Sequence, residues 1–232
     1  MGGLFGEGGA GAANTETVTA VRPVGREGRL VSVIVGRRSA GRLPPEVAER
    51  LGVRAGESWT AEMAGAVGAA HRTEAAHEAA LKRLSRRARS EAELREWLGS
   101  KGHAPGAVAE AIDRLRAAGL VGDAALAREV VAQAQAKAPA GAALIEDRLR
   151  RRGLEAEAAP LVARSSDAEG ALALARTEAA TLARSADAAK AARRILGVLA
   201  RRGFDPASAE EAVRAALAER GVALPEGDSY DP

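Results

Sequence analysis

The chain has no cysteine, which excludes disulfides, thiolate nucleophiles and cysteine-type zinc sites and suits a reducing compartment. Aromatic residues make up only 2% of a composition that is 47% hydrophobic. A core must therefore come from alanine, leucine and valine, which favours close-packed helices over a β-sandwich or barrel. No apolar run approaches the roughly 18 residues needed to cross a bilayer. The start, Met1-Gly2-Gly3-Leu4, has neither a basic leader nor an apolar core, so the cytoplasm is the expected location. Neither sign of charge dominates: 34 Lys and Arg against 31 Asp and Glu leave +3, a balance that permits nucleic-acid contact without demanding it. Also absent are a phosphate loop, an H-E-x-x-H helix and a G-x-S-x-G elbow. His71, His77 and His103 find no third ligand at metal spacing and read as surface histidines. No enzyme, metal or cofactor is expected.

What the chain does have is a recurrence. Leu94, Leu98 and Gly102 share one phase; Ile145, Leu149 and Gly153 repeat it, and Ile195, Leu199 and Gly203 repeat it again. A cation precedes each glycine: Lys101, Arg152 and Arg202. A period of about 50 residues is the signature of stacked supersecondary units. Each copy also reads as a helix end, with an apolar stripe, cations in the last turn and a residue free to turn left-handed.

Residues 1–15 are mostly glycine and alanine, with little apolar bulk, and are expected to be disordered. Residues 16–65 read as a β-rich module, with the β-branched run Leu30 to Val35 between turn signals, a strand to Leu43 and a short helix from Pro44-Pro45 to Gly52. Leu51 to Glu57 resembles the turn of swapped-hairpin DNA-binding regulators, but a helix stop followed by a tight turn is the favoured explanation.

Nine helices are expected after that, in three groups of three: 69–120, 121–165 and 166–220, followed by an acidic tail, 221–232. The first helix runs from about Ala69 to Arg87. Ser90 and Glu93 have capping-box spacing for the second. Asp123 is the expected N-cap of the fourth, the sixth covers about Ala156 to Arg164, and the seventh reaches Leu182. Asp205-Pro206 opens the ninth. The fold class is mainly α: three tandem three-helix repeats in an elongated array after a small β-rich module.

Several of these segments resemble one family. Arg89-Ser90-Glu91-Ala92-Glu93-Leu94, then Lys101-Gly102, then Ile112 to Asp123 (IDRLRAAGLVGD) are similar to the RecX family, regulators of the RecA recombinase, over about residues 70–220. His103, Gly122 and Leu126 depart from the family pattern, which often has an aromatic, an Asp and an aromatic there. The resemblance implies a non-catalytic modulator that lies on the RecA filament on single-stranded DNA and restrains ATP hydrolysis, strand exchange and repressor cleavage. Direct binding of single- or double-stranded DNA is also implied, with no membrane partner and a monomeric state.

The candidate partner- and nucleic-acid-binding residues are basic clusters at helix ends: Arg83, Arg86, Arg87 and Arg89; Lys101; Arg148, Arg150, Arg151 and Arg152; Arg193, Arg194, Arg201 and Arg202. The planar guanidinium fork suits phosphate and carboxylate. The competing explanation is helix-dipole compensation on a solvated surface. Trp97 and Phe204 read as core rather than as stacking platforms. A helical-repeat transcriptional regulator is the alternative function, and it predicts sequence-specific duplex binding.

Overall fold

The structure is a computed structural model that describes residues 16–25, 28–162, 167–182 and 187–222. The proposed disordered start up to residue 15, the acidic tail from residue 223, the end of the sixth helix and residues 183–186 lie outside the described residues. The chain divides into two compact units, residues 1–83 with 97–115, and residues 84–96 with 116–232.

The first unit begins with an antiparallel meander of β1 (Val18–Val24), β2 (Leu30–Val35) and β3 (Arg38–Leu43) in the order β1-β2-β3. Alternation fixes which face is buried. Val31, Val33 and Val35 point inward and join Val18 and Leu43 beneath α1 (Pro45–Arg50), which contributes Val47 and Ala48. The helix stop at Gly52 (φ 67°) and the return of the Val53 amide to the Ala48 carbonyl confirm the simpler reading of that turn.

The next helix, α2 (Ala61–Leu84), starts about eight residues before the expected Ala69. Thr60 Oγ1 accepts from the Met63 amide at 3.1 Å, and Met63, Val67 and Ala70 complete the sheet's core. Gly41 makes this packing possible: a Cβ there would lie 3.1 Å from both His71 Cβ and Val67 Cγ1. His71 is thus a buttress rather than a free surface residue, accepting the Arg42 amide on Nδ1 at 3.3 Å. Further along, Ala76 packs with Ala107 and Ala111 of α4 (Pro105–Ala117). Thr73 donates to Glu110, and Arg114 bridges Glu74 and Glu110.

The second unit is helical: α5 (Asp123–Gln135), α6 (Ala142–Arg150), a 3-10 turn (Glu155–Glu157) leading into α7 (Ala158–Val162), α8 (Asp167–Ala180), α9 (Ala188–Arg201) and α10 (Pro206–Ala218). Helix α3 (Glu91–Ser100) belongs to this unit up to Glu96. Two cores fill it. Leu126, Val130, Ile145, Leu149 and Leu154 form one; Leu174, Ile195, Leu199, Phe204, Val213 and Leu217 form the other. Phe204 packs into the core as expected for an apolar residue after a helix-ending glycine.

From α2 onward the described residues hold nine α-helices, three after three, as the recurrence predicted. Two details differ. The sixth helix begins as a 3-10 turn, and α8 stops at Ala180, so Leu182 packs from the following turn.

Candidate partner interface

The recurring glycines all take positive φ: 83° at Gly102, 65° at Gly153 and 79° at Gly203. What they touch separates them. A Cβ on Gly153 would come to 2.5 Å from Ala92 Cβ, and one on Gly203 to 2.6 Å from Leu144 Cβ. Each glycine lets the end of one middle helix press against the start of the preceding middle helix.

The cations before these glycines turn inward with them. Arg152 donates to the Ala88 carbonyl at 2.9 Å and to Glu93 Oε2 at 3.0 Å. Arg202 donates to the carbonyls of Pro139 and Ala134 at 2.9 Å and to that of Ala138. The backbone completes each contact. The Ser90 hydroxyl donates to the Arg152 carbonyl at 2.5 Å; the Gly141 amide donates to the Arg202 carbonyl at 2.9 Å.

An aspartate closes each joint. Asp123 accepts the Glu91 amide at 3.0 Å and Asp167 accepts the Ala142 amide at 3.0 Å. These correct the expected N-cap role of Asp123. Gly122 is the N-cap of α5, and the Asp123 carboxylate caps α3 instead. The orphan amides of a helix start are satisfied here by a different helix. The Asp123–Asp167 pair is a recurrence that sequence reading missed, detectable in hindsight as an aspartate opening the first helix of each later triplet.

The electrostatics of the first joint follow from this geometry. Burial pushes the Glu93 carboxyl up, but the Arg152 hydrogen bond, the Ser90 amide and the charges of Arg152 and Arg87 outweigh it and hold it below the usual range. The Ser90 amide donates to Glu93 while the Glu93 amide donates to Ser90 Oγ, so the predicted capping box is present. Asp123 is raised instead: burial, with the charges of Glu91 and Glu157, outweighs its bond from the Glu91 amide. At Glu91, the hydrogen bond from Arg116 overcomes burial and lowers the carboxyl.

The remaining candidate cations are distributed as follows. Arg83 lies with its guanidinium 5.2 Å from the centre of the half-buried Trp97 ring. Arg87 and Arg89 reach Glu93 at 3.0 and 3.4 Å. Arg151 pairs with Asp147 one turn back at 2.8 Å, yet its side chain is 77% exposed, against 20% for Arg152. Arg148 is half-buried, while Arg86, Lys101, Arg150, Arg193, Arg194 and Arg201 are exposed. Relative to the recurring glycine, Arg151 and Arg201 occupy the same position, two residues earlier, and both stay exposed. Among the described residues no three His, Cys, Asp or Glu side chains are grouped to hold a metal ion, and no helix is long and apolar enough to cross a membrane.

Comparisons with known proteins agree with this architecture. The family model described as RecX, first three-helix domain, matches residues 76–115. A solved structure titled regulatory protein RecX superposes with a TM-score of 0.69 at 18% identity, over 86% of this chain and 99% of that one. RecX from Lactobacillus salivarius gives 0.53 at 20% identity, over 62% of this chain and 96% of that one. At those identities the likeness is one of fold. Sequence relatives carry the assignment further. The regulatory protein RecX of Corynebacterium efficiens is 34% identical over 149 residues, 61% of this chain and 71% of the relative. That of Mycobacteroides abscessus is 36% identical over 152 residues, covering 63% and 74%, and that of Mycobacterium avium is 32% identical over 151, covering 63% and 87%. With its duplicated helical joints and this extent of shared sequence, the chain belongs to the RecX family of regulatory proteins.

Proposed function

We propose that this protein is a non-enzymatic modulator of the RecA recombinase. It acts in the cytoplasm as a monomer, binding the RecA filament on single-stranded DNA and restraining ATP hydrolysis, strand exchange and repressor cleavage. The observation that carries the reading is the division of labour among the helix-end arginines. Arg152 and Arg202 are occupied by the joints, whereas Arg151 and Arg201, their immediate neighbours, remain exposed at equivalent positions. Cations that recur with the helical period suit a partner that is itself periodic. With Arg150, Arg193 and Arg194 they offer guanidinium forks for carboxylates or phosphates of a filament, each contact weak and salt-screened.

The test is DNA-dependent ATP hydrolysis by the cognate RecA on single-stranded DNA, titrated with this protein at two salt concentrations. Inhibition below one copy per RecA monomer, weakened at higher salt, is expected. Reversing the charges of Arg150, Arg151, Arg194 and Arg201 should relieve inhibition by about ten-fold or more in concentration without lowering the melting temperature. Unchanged inhibition by a folded variant removes this surface from the reading.

A further inference from the structure

The helical region does not account for the charge on the β-module. Strand register places Arg22 opposite Ser32 and Ser32 opposite Arg42, so these three residues form one row across the meander. Directly opposed residues of antiparallel neighbours share a face. This face is the one turned away from the valine core, because Val31 and Val33 flank Ser32 in sequence and point inward. Ser39 shares it, its hydroxyl 3.0 Å from that of Ser32. Arg22 and Arg42 are exposed, and neither forms an ion pair with a described residue. Glu16 is paired with Arg38 at 2.7 Å. The module's other described acids, Glu46, Glu49, Glu57 and Glu62, belong to α1, the loop after it and the start of α2, and both helices pack on the opposite face.

We propose that this outer sheet face is a docking surface for the phosphate backbone of duplex DNA. Strand spacing puts the Arg22 and Arg42 backbones about 10 Å apart on a rigid base. Two long guanidinium arms can then take separate phosphates, over a buried Ser32 whose hydroxyl bonds that of the exposed Ser39; such contacts position nucleic acid without reading its sequence. The row carries no aromatic ring, so it lacks the stacking platform on which unpaired bases are held. The flanking rows of the same face, Val24 with Leu30 and Ala20 with Ile34, are aliphatic and half-buried. A duplex, whose bases stack on one another and whose phosphates face outward, is the ligand this chemistry fits. The Arg42 backbone is itself held by His71 of α2, which fixes the edge strand that carries one of the two cations. The proposal reaches beyond the reading of the helical arginines and does not depend on it.

The test uses the full chain, without recombinase, and measures fluorescence anisotropy of a short random-sequence duplex and of the matching single strand at several salt concentrations. Arg22→Gln/Arg42→Gln should weaken duplex binding by about three- to ten-fold at low salt and make the log–log salt slope shallower by about 2, since each neutralised phosphate contributes about 0.9. Arg22→Lys/Arg42→Lys should keep most of that slope. Arg50→Gln/Arg54→Gln, which removes the same charge from α1 and the turn after it, should change both quantities little. Circular dichroism melting should match the unmodified chain throughout, since all four side chains are exposed. The proposal is overturned by absent duplex binding, by equal losses from the two Gln pairs, or by a loss confined to the single strand. Because no recombinase is present, failure here leaves the helical surface untested, and failure of the ATP hydrolysis assay leaves this face untouched.

Discussion

Lys101-Gly102 and Arg202-Gly203 have the same local chemistry: a middle helix ends, a cation follows, and a glycine turns left-handed. Their surroundings are opposite. Arg202 is held by three carbonyls and Gly203 is pressed against Leu144, while Lys101 is exposed and a Cβ on Gly102 would meet nothing. The difference is position in the series. A later turn has an earlier middle helix to grip, whereas the first copy has none. The far end shows the converse. The amides at the start of α9 are met by that helix's own N-cap, Asp187, which accepts those of Ala189 and Lys190. One motif therefore serves as a joint where it is repeated and as a simple helix stop where the series begins.

The largest test of this contrast is to add one methyl group at each glycine. Gly203→Ala and Gly153→Ala combine left-handed backbone strain with overpacking against the preceding helix, and should each cost about 3 kcal/mol or more. Gly102→Ala carries only the backbone term, about 1 kcal/mol. Denaturant midpoints rank the three. Equal losses at all three positions would mean that the joints contribute nothing beyond φ. Gly141→Ala sharpens the point, because Gly141 has φ −76° and would suffer only the contact with the Gly203 backbone.

Next in size are the cations. Arg202→Ala leaves buried carbonyls without donors, and Arg152→Ala leaves Glu93 short of its main partner, so each should cost about 2 kcal/mol. Lys101→Ala, which removes an exposed side chain with no ion pair or hydrogen bond to a described residue, should stay within about 0.5 kcal/mol. Thermal melting under one buffer condition distinguishes these outcomes.

The smallest expected effects are those of pH on the first joint. The Glu93 carboxyl lies below its ordinary value, so the stability it contributes is complete above the usual carboxylate range and lost as pH falls through its folded value. Glu93→Gln should flatten the acid limb of a stability–pH curve below about pH 4.5, the ordinary value for glutamate. Asp123 has the opposite sign: its raised carboxyl favours folding when protonated, a contribution lost as pH rises through its folded value. Asp123→Asn keeps an acceptor for the Glu91 amide and removes a charge facing Glu91 and Glu157. It should be neutral to slightly stabilising at pH 7, while Asp123→Ala should cost about 1 kcal/mol through loss of the cap.

Local chemistry was legible where both partners lie within one helical turn. Ser90 with Glu93, and Asp205 with the Ser208 amide, are caps made by neighbours three residues apart. Phe204 follows the same rule, folding back on the helix it ends. The start of α2 was misplaced because residues 61–68 are small and weakly patterned; they become a helix through the Thr60 cap and the sheet against which Met63 and Val67 pack. Asp123 was assigned to its own helix because the amide it serves is 32 residues away.

The candidate interface divides along the same line. Its residues could be found from charge and helix ends, but Arg151 and Arg152 cannot be told apart by composition or phase alone. The chain by itself determined the helical class, the three-fold recurrence and the glycines at helix ends, because these depend on short-range periodicity and on backbone conformations that glycine adopts readily. Only the tertiary structure decided which cations became joints and which stayed exposed. A guanidinium is committed when a second helix presents carbonyls or a carboxylate within about 3 Å, and that encounter is made by packing rather than by sequence spacing.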